Sequence, residues 1–89
     1  MNLYMLDGAE MTSREAAYAS IAHIMHFPSW FGNNLDALAD CLSELRRDSV
    51  VCFVHTAALS AQLGDYGGKL LACFRDCARE VGFQFIERE

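Results

Sequence analysis

The chain has 89 residues, of which 53% are hydrophobic and 21% are charged, and its formal net charge is -5. This length and composition predict one globular domain over residues 1–89 and exclude extended disorder. The negative charge disfavours direct binding to a nucleic-acid backbone and favours a cationic protein partner.

The sequence contains no segment suited to a membrane. No apolar run approaches the ~18 residues that a spanning helix needs. The N-terminal residues 1–7 lack a basic segment and reach Asp7 too early for a signal peptide. We therefore expect a cytoplasmic protein without membrane contact, in which the four cysteines are reduced.

The first half of the chain predicts a strand and two helices. Residues 1–6 form a short apolar run that ends in an Asp-Gly turn, which is typical of a strand. Thr12 and Glu15 have the spacing of a capping box, so a helix should begin there and end before Pro28. A second helix should begin after Asn33 or Asn34, both good N-cap residues. Its apolar stripe is Leu35, Leu38, Leu42 and Leu45.

The second half predicts a central strand, two helices and a final strand. Residues 50–54 (VVCFV) are uninterruptedly apolar, which favours a strand covered on both faces or on most of its length. Thr56 is suited to cap a short helix through residue 63, and residues 64–68 are glycine-rich and predict a loop. The last helix is expected over residues 69–81, with Gly82 as its terminator and a strand over 83–86.

The resulting element order is β-α-α-β-α-α-β. Strands separated by helices imply parallel pairing. The sequence therefore predicts an α/β fold with a small three-stranded parallel sheet and about four helices packed on it.

Two pairs of carboxylates stand one helical turn apart. Asp36 and Asp40 share a face of the second helix, and Asp76 and Glu80 share a face of the last helix. Like charges at this spacing cost a helix about 0.2–0.5 kcal/mol. Asp36 recovers part of this cost at the positive N-terminus of its helix, but Asp40 does not. The simple alternative is a solvated helix face.

An aromatic loop leads directly into the first acidic pair. Trp30 and Phe31 precede the turn at Gly32-Asn33-Asn34. They form either a lid over the core or a contact surface, and aromatic residues beside charge are typical of interface anchors. A glycosidase-like use of the carboxylates would need a cleft, whereas the small neighbours Ala37 and Ala39 favour a convex surface.

The remaining reactive side chains do not form a recognisable catalytic or metal motif. Cys73 and Cys77 lie one turn apart and would supply two metal ligands, but Cys77 lies on an apolar stripe, so packing explains it better. His55 follows the central strand, where catalytic residues of parallel sheets occur, yet no nucleophile motif accompanies it. We therefore expect no enzymatic activity, no cofactor and no metal.

The segment around the aromatic loop resembles the barstar family of intracellular inhibitors of barnase-type ribonucleases. The shared pattern is Pro28, Trp30-Phe31, Gly32, residues 34–38 (NLDAL) and residues 40–42 (DCL). The last helix adds Phe74-Arg75-Asp76 and Glu80. The resemblance extends over the whole chain and implies the same fold.

The resemblance also implies a mechanism. Proteins of this family plug a ribonuclease active site with an acidic helix and the loop before it. The family's main acidic contact falls on Asp40, and its loop tyrosine, which stacks on a catalytic histidine of the enzyme, falls on Trp30. The predicted partner-binding residues are Trp30, Phe31, Gly32, Asn34, Asp36, Ala39, Asp40, Asp76 and Glu80.

Several positions depart from the family pattern. Ala39 and Leu45 stand where the family has tryptophans, and Asp76 replaces a glutamate. Ser29 and Asn33 are neutral where the family is acidic. Arg46 and Arg47 also add positive charge beside the second helix. These changes bear on partner identity, because specificity is a difference between affinities.

Two hypotheses follow for function. The first is a monomeric ribonuclease inhibitor or immunity protein that blocks a basic extracellular-type ribonuclease or a nuclease toxin. The alternative is a regulatory or assembly module of the same fold that binds a different protein and no ribonuclease.

Overall fold

Three parallel strands form one sheet in the order β1-β2-β3 in a computed structural model that describes residues 1–89. The strands are β1 (Leu3–Asp7), β2 (Val50–Val54) and β3 (Gln84–Glu87). The helices are α1 (Arg14–Met25), α2 (Leu35–Leu42), α3 (Thr56–Leu63) and α4 (Asp65–Val81), and a short 3-10 turn covers Gly8–Glu10. The predicted α/β fold, the parallel sheet and the element order are confirmed. None of the helices combines the length and apolar character needed to span a membrane.

The core lies between one face of the sheet and the helices. Val51 and Phe53 of β2 are fully buried on this face. Phe74 of α4 packs edge-on against Phe53, with ring centroids 5.7 Å apart, and stacks on Phe85 of β3 at 5.3 Å. These aromatic contacts join α4 to two strands and fix the position of the helix on the sheet.

The opposite face of the sheet is only partly covered. Alternate residues of a strand point to opposite faces, and Cys52 and Val54 on the outer side of β2 are half-buried. In the neighbouring strand, Leu3 and Met5 are 63% and 51% exposed. Of the two predicted arrangements, full coverage on both faces is not found, because only the side carrying Val51 and Phe53 is sealed, but no residue of β2 is fully exposed.

The start of α4 differs from the sequence prediction for a packing reason. The glycine-rich residues 64–68 were expected to form a loop, but α4 begins at Asp65. A Cβ atom added to Gly67 would lie 3.2 Å from the backbone oxygen of Leu59 in α3. Gly67 therefore allows α4 to approach α3 closely, and this packing outweighs the ~1 kcal/mol that glycine costs a helix.

Other helix boundaries differ from the predicted ones by a few residues. Ser13, and not Thr12, caps α1, because the Ser13 side chain accepts a hydrogen bond from the Ala16 N–H at 3.0 Å. α2 ends at Leu42, three residues before the predicted end of its apolar stripe, yet Leu45 still packs against the core. The first and last strands lie one or two residues further along the chain than predicted.

His55 takes the capping position of α3 that was predicted for Thr56. Its backbone has a left-handed conformation (φ 55), and its side chain does not cap the helix. The ring nitrogen Nδ1 instead lies 2.7 Å from Oδ1 of Asp7 at the end of β1. The same carboxylate accepts a hydrogen bond from the Ala9 N–H at 2.9 Å. His55 and Asp7 thus join the carboxyl ends of two neighbouring strands.

This pairing predicts a pH-dependent contribution to stability. The hydrogen bond to His55, followed by that from Ala9, holds the pKa of Asp7 below its ordinary value of 3.8. In acid, the unfolded chain therefore binds a proton at Asp7 more readily than the folded chain does. The stabilisation is present above pH 3.8 and is lost as pH falls through the lowered pKa. We expect Asp7→Asn to reduce the free energy of unfolding at neutral pH, with a difference that shrinks in acid. Urea unfolding from pH 7 to about pH 3 measures this.

Glu10→Gln is the control for the loss of one negative charge near the same turn. A difference between wild type and Asp7→Asn that stayed constant over the whole pH range would contradict the prediction.

Candidate functional site

The aromatic loop leaves α1 through a sharp turn. His26 ends the helix in the left-handed conformation (φ 58), and the N–H groups of His26 and Phe27 both bond to the Ala22 carbonyl. A second turn follows, in which the Phe31 N–H donates to the Pro28 carbonyl at 3.0 Å. The loop therefore folds back on itself, and its two adjacent aromatic side chains face different environments.

Phe31 anchors the loop to the body of the protein. Its ring lies 5.8 Å from that of Tyr18 in α1 and 5.1 Å from that of Phe27, measured between centroids. The Tyr18 hydroxyl hydrogen-bonds to the Tyr66 hydroxyl of α4, and the guanidinium of Arg14 lies 3.9 Å from the centroid of the Tyr66 ring. Burial raises the pKa of the Tyr18 phenol, which remains protonated.

Trp30 projects away from this anchor. Its side chain is 82% exposed, whereas Phe31 is half-buried. A large exposed aromatic residue held on a fixed turn is unusual for a side chain with no external contact. Of the two interpretations left open by the sequence, the lid over the core fits Phe31 and the contact surface fits Trp30.

Gly32, Asn33 and Asn34 connect the loop to α2. Asn33 has a left-handed backbone (φ 54), and Asn34 is the N-cap of α2. The Asn34 side-chain oxygen accepts a hydrogen bond from the Ala37 N–H at 2.8 Å, and its amide nitrogen donates to the Gly32 carbonyl at 3.2 Å. A Cβ atom on Gly32 would come within 3.2 Å of the same amide nitrogen. Asn34 therefore fixes both the start of α2 and the path of the loop.

The acidic residues of α2 are exposed and have no partner within the chain. Asp36 and Asp40 are both exposed, and neither side chain takes part in a hydrogen bond or an ion pair. The Asp40 backbone carbonyl, in contrast, accepts a bond from the Ser43 hydroxyl at 2.6 Å. Their mutual repulsion is therefore not relieved by any neighbouring cation of this protein.

Helix α2 packs against α4, the helix that carries the second acidic pair. The Cys73 thiol of α4 lies 3.8 Å from the Leu35 carbonyl of α2. Burial raises the pKa of Cys73 to about 12, and the neighbouring Cys77 and the carboxylates of Asp76 and Asp36 add to this effect. Asp36 and Asp76 therefore both lie near Cys73, at the contact between α2 and α4.

The acids of α4 differ in their local pairing. Asp76 forms an exposed ion pair with Arg79, one turn further along α4. Glu80 is exposed and makes no such pair. A partner that used Asp76 would compete with Arg79, whereas Glu80 is directly available. Ala39, which the sequence also proposed, is half-buried and packs against the core.

Asp40 does not lie on the convex surface that its small neighbours suggested. It borders an open groove of about 320 Å³ between the aromatic loop and the end of α2. The groove is lined by Phe27, Pro28, Trp30, Asp40, Cys41 and Glu44. The convex-surface prediction is wrong here, because Trp30 stands beside the helix and creates a concavity that helical spacing alone does not reveal.

Glu44 is the acidic residue that sequence reasoning missed. It follows α2 in a tight turn, where its N–H donates to the Cys41 carbonyl at 3.2 Å. The signal was available, because Glu44 stands four residues after Asp40, the spacing that marked Asp36 and Asp40. The two arginines that follow are engaged elsewhere. Arg46 pairs with Asp48 at 3.1 Å, and Arg47 donates to the Val81 carbonyl at the end of α4.

The structure brings no metal-binding cluster together. No group of three or more histidine, cysteine, aspartate or glutamate side chains is arranged to hold an ion. The four cysteines are free thiols, and Cys77 is buried. His55, the histidine placed at the end of the central strand, is engaged with Asp7 as described above.

The fold and this surface define a class of small α/β protein in which one short helix exposes carboxylates beside a tryptophan loop. The chain belongs to the Barstar family, because the family model described as Barstar (barnase inhibitor) matches residues 1–88. The predicted family is thereby confirmed, and it is a family of inhibitors of barnase-type ribonucleases. A search of curated proteins gave no match.

The double role of Asn34 leads to a stability prediction. Asn34→Ala removes the N-cap bond to Ala37 and the bond to the Gly32 carbonyl, so the free energy of unfolding should fall by about 1 kcal/mol. Chemical denaturation measures the change. Ser29→Ala, at an exposed position in the same loop, is the matched control and should have little effect. An equal loss in both variants would contradict the capping role.

Proposed function

We propose that this protein inhibits a barnase-type ribonuclease by covering its cationic active site with α2 and the preceding aromatic loop. The observation that carries the proposal is the pair of exposed, unpartnered carboxylates of Asp36 and Asp40 beside the exposed ring of Trp30. Membership of the Barstar family supports a ribonuclease as the partner. The proposed mechanism is occlusion, which needs neither a cofactor nor a chemical step.

Electrostatics supports a basic partner surface. The protein has a net charge of -5, which steers cationic proteins toward it and speeds their association. The repulsion between Asp36 and Asp40 is a cost in the free protein, and positive groups from a partner would relieve it on binding. Complex formation should therefore weaken as salt rises.

The proposed roles divide between contact and positioning. Asp40 is the main charge contact, because it borders the groove together with Trp30, and Asp36 supports it from the first turn of α2. Trp30 supplies a flat ring for stacking on an imidazole or guanidinium of the enzyme. Asp76 and Glu80 extend the acidic surface onto α4.

The remaining predicted residues shape this surface. Phe31 holds the loop through Tyr18, and Asn34 fixes the path from Gly32 into α2. The methyl group of Ala39 leaves space where the family has a tryptophan. We propose that the inhibitor acts as a monomer in the cytoplasm and forms a complex of one inhibitor with one enzyme.

Asp40→Ala is expected to weaken binding to a barnase-type ribonuclease by at least about 100-fold, because it leaves a desolvated cation of the enzyme without its partner. Glu80→Ala, at the edge of the surface, should weaken binding by less than about tenfold. Calorimetric titration of the ribonuclease with each variant, at low and at physiological salt, measures both constants and the stoichiometry.

Glu10→Ala is the matched control, because it removes one exposed carboxylate from the 3-10 turn, which packs on α3 and α1. Circular dichroism checks that each variant is folded. Equal affinities of wild type and Asp40→Ala would overturn the proposed site.

A complete absence of binding at both salt concentrations would instead favour the second hypothesis, a regulatory or assembly module. The replacement of a family tryptophan by Ala39 is the observation on its side. Such a module would bind its own partner with an affinity insensitive to changes at Asp36 and Asp40.

A further inference from the structure

The groove between the aromatic loop and the end of α2 has two chemically different sides. Phe27, Pro28 and Trp30 form its apolar side, and Asp40, Cys41 and Glu44 form the side provided by α2 and the turn after it. Its volume of about 320 Å³ is at the lower end for pockets that hold small ligands and is large enough for one long side chain.

The two carboxylates of the groove belong to consecutive turns and are not neutralised within the chain. Asp40 and Glu44 are exposed, and neither side chain forms an ion pair or a hydrogen bond. Both are close enough to Cys41 to raise the pKa of its thiol, although burial of Cys41 is the larger cause. The groove also lies at the C-terminal end of α2, where the helix dipole favours a cation.

The apolar side is suited to a flat cation with an aliphatic stem. Trp30 is 82% exposed, so much of its ring is free for contact. Phe27 and Pro28 are half-buried and offer a surface for methylene groups. A guanidinium stacks on an aromatic ring and presents five N–H donors in one plane, whereas an ammonium is a compact, strongly hydrated charge.

We infer that Glu44 is a specificity-determining residue, which adds a second carboxylate to this groove and makes the groove selective for an arginine side chain of the partner protein over a lysine side chain. The guanidinium lies between the carboxylates of Asp40 and Glu44 and against the ring of Trp30. The aliphatic part of the side chain lies on Phe27 and Pro28. The identity of the partner rests on the proposed function, but the chemistry of the groove does not.

The groove can be tested without a ribonuclease, because Trp30 is the only tryptophan of the chain and reports on it alone. The indole N–H signal of Trp30 is followed by NMR during titration with N-acetyl-arginine amide. Saturable binding is expected with a dissociation constant of roughly 1 mM, as fits a ligand of this size. N-acetyl-lysine amide should bind about tenfold more weakly, and the uncharged N-acetyl-citrulline amide should give no saturable shift.

Glu44→Gln should weaken the binding of the arginine amide about tenfold, because a charge-assisted hydrogen bond is lost. Glu10→Gln is the matched control and should bind it as the wild type does. Equal shifts with the arginine and citrulline amides, or equal affinities of Glu44→Gln and Glu10→Gln, would overturn the inference.

A second titration separates this inference from the proposed function. Glu44→Gln should weaken binding to a barnase-type ribonuclease about tenfold relative to Glu10→Gln. If the arginine amide binds the groove but the ribonuclease does not bind the protein, the site stands and the proposed function fails. If the ribonuclease binds tightly and Glu44→Gln has no effect in either titration, the proposed function stands and the groove assignment fails.

Discussion

The edge-on contact between Phe31 and Tyr18 holds the acidic surface of this protein in place. Through Tyr18, the loop is connected to α1, and through the hydroxyl pair with Tyr66 it is connected to α4. The contact holds the Phe31 ring against the body of the protein. The backbone turn that contains Phe31 leaves the preceding aromatic side chain, Trp30, exposed. Loss of this anchor would disturb the exposed ring, the N-cap of α2 and the groove together, because all three belong to one short segment.

The residues proposed for binding are those that break the usual rules for a stable surface. An exposed tryptophan offers apolar area to water, and two aspartates one turn apart repel each other on α2. Some charges elsewhere on the chain are paired. Arg75 forms two hydrogen bonds with Glu87, and Arg46 forms two with Asp48. An exposed aromatic ring beside unpaired carboxylates supports the proposal that this surface binds a partner.

The groove beside Asp40 refines how the acidic surface can discriminate between partners. Positive charge anywhere on a partner responds to the overall field of the protein, and this increases association rates without much selectivity. A concave site with an aromatic side and two carboxylates responds to the shape of one side chain. The net charge thus attracts partners at long range, and the groove recognises one side chain at contact. The proposed role of Glu44 is in recognition at contact.

The sequence by itself determined the order of the elements, the parallel sheet, the family and the two acidic pairs. These depend on local periodicity, on turn residues and on a distinctive run of residues around Asp36 and Asp40, all of which are visible in one dimension. It also located the N-cap of α2 to within one residue, because an asparagine side chain is well suited to accept a hydrogen bond from the first turn of a helix.

Only the tertiary structure decided where non-local contacts override local preference. Gly67 lies inside α4 because the helix must approach Leu59 closely, and helix propensity alone cannot report this. Cys52 and Val54 are apolar yet half-exposed, since a strand's composition does not say which of its faces is covered. Glu44 and Asp40 line one groove because Trp30, which belongs to the loop before α2, lies beside both of them. Propensity and periodicity act over a few residues, whereas concavity and close approach arise only when distant segments pack together.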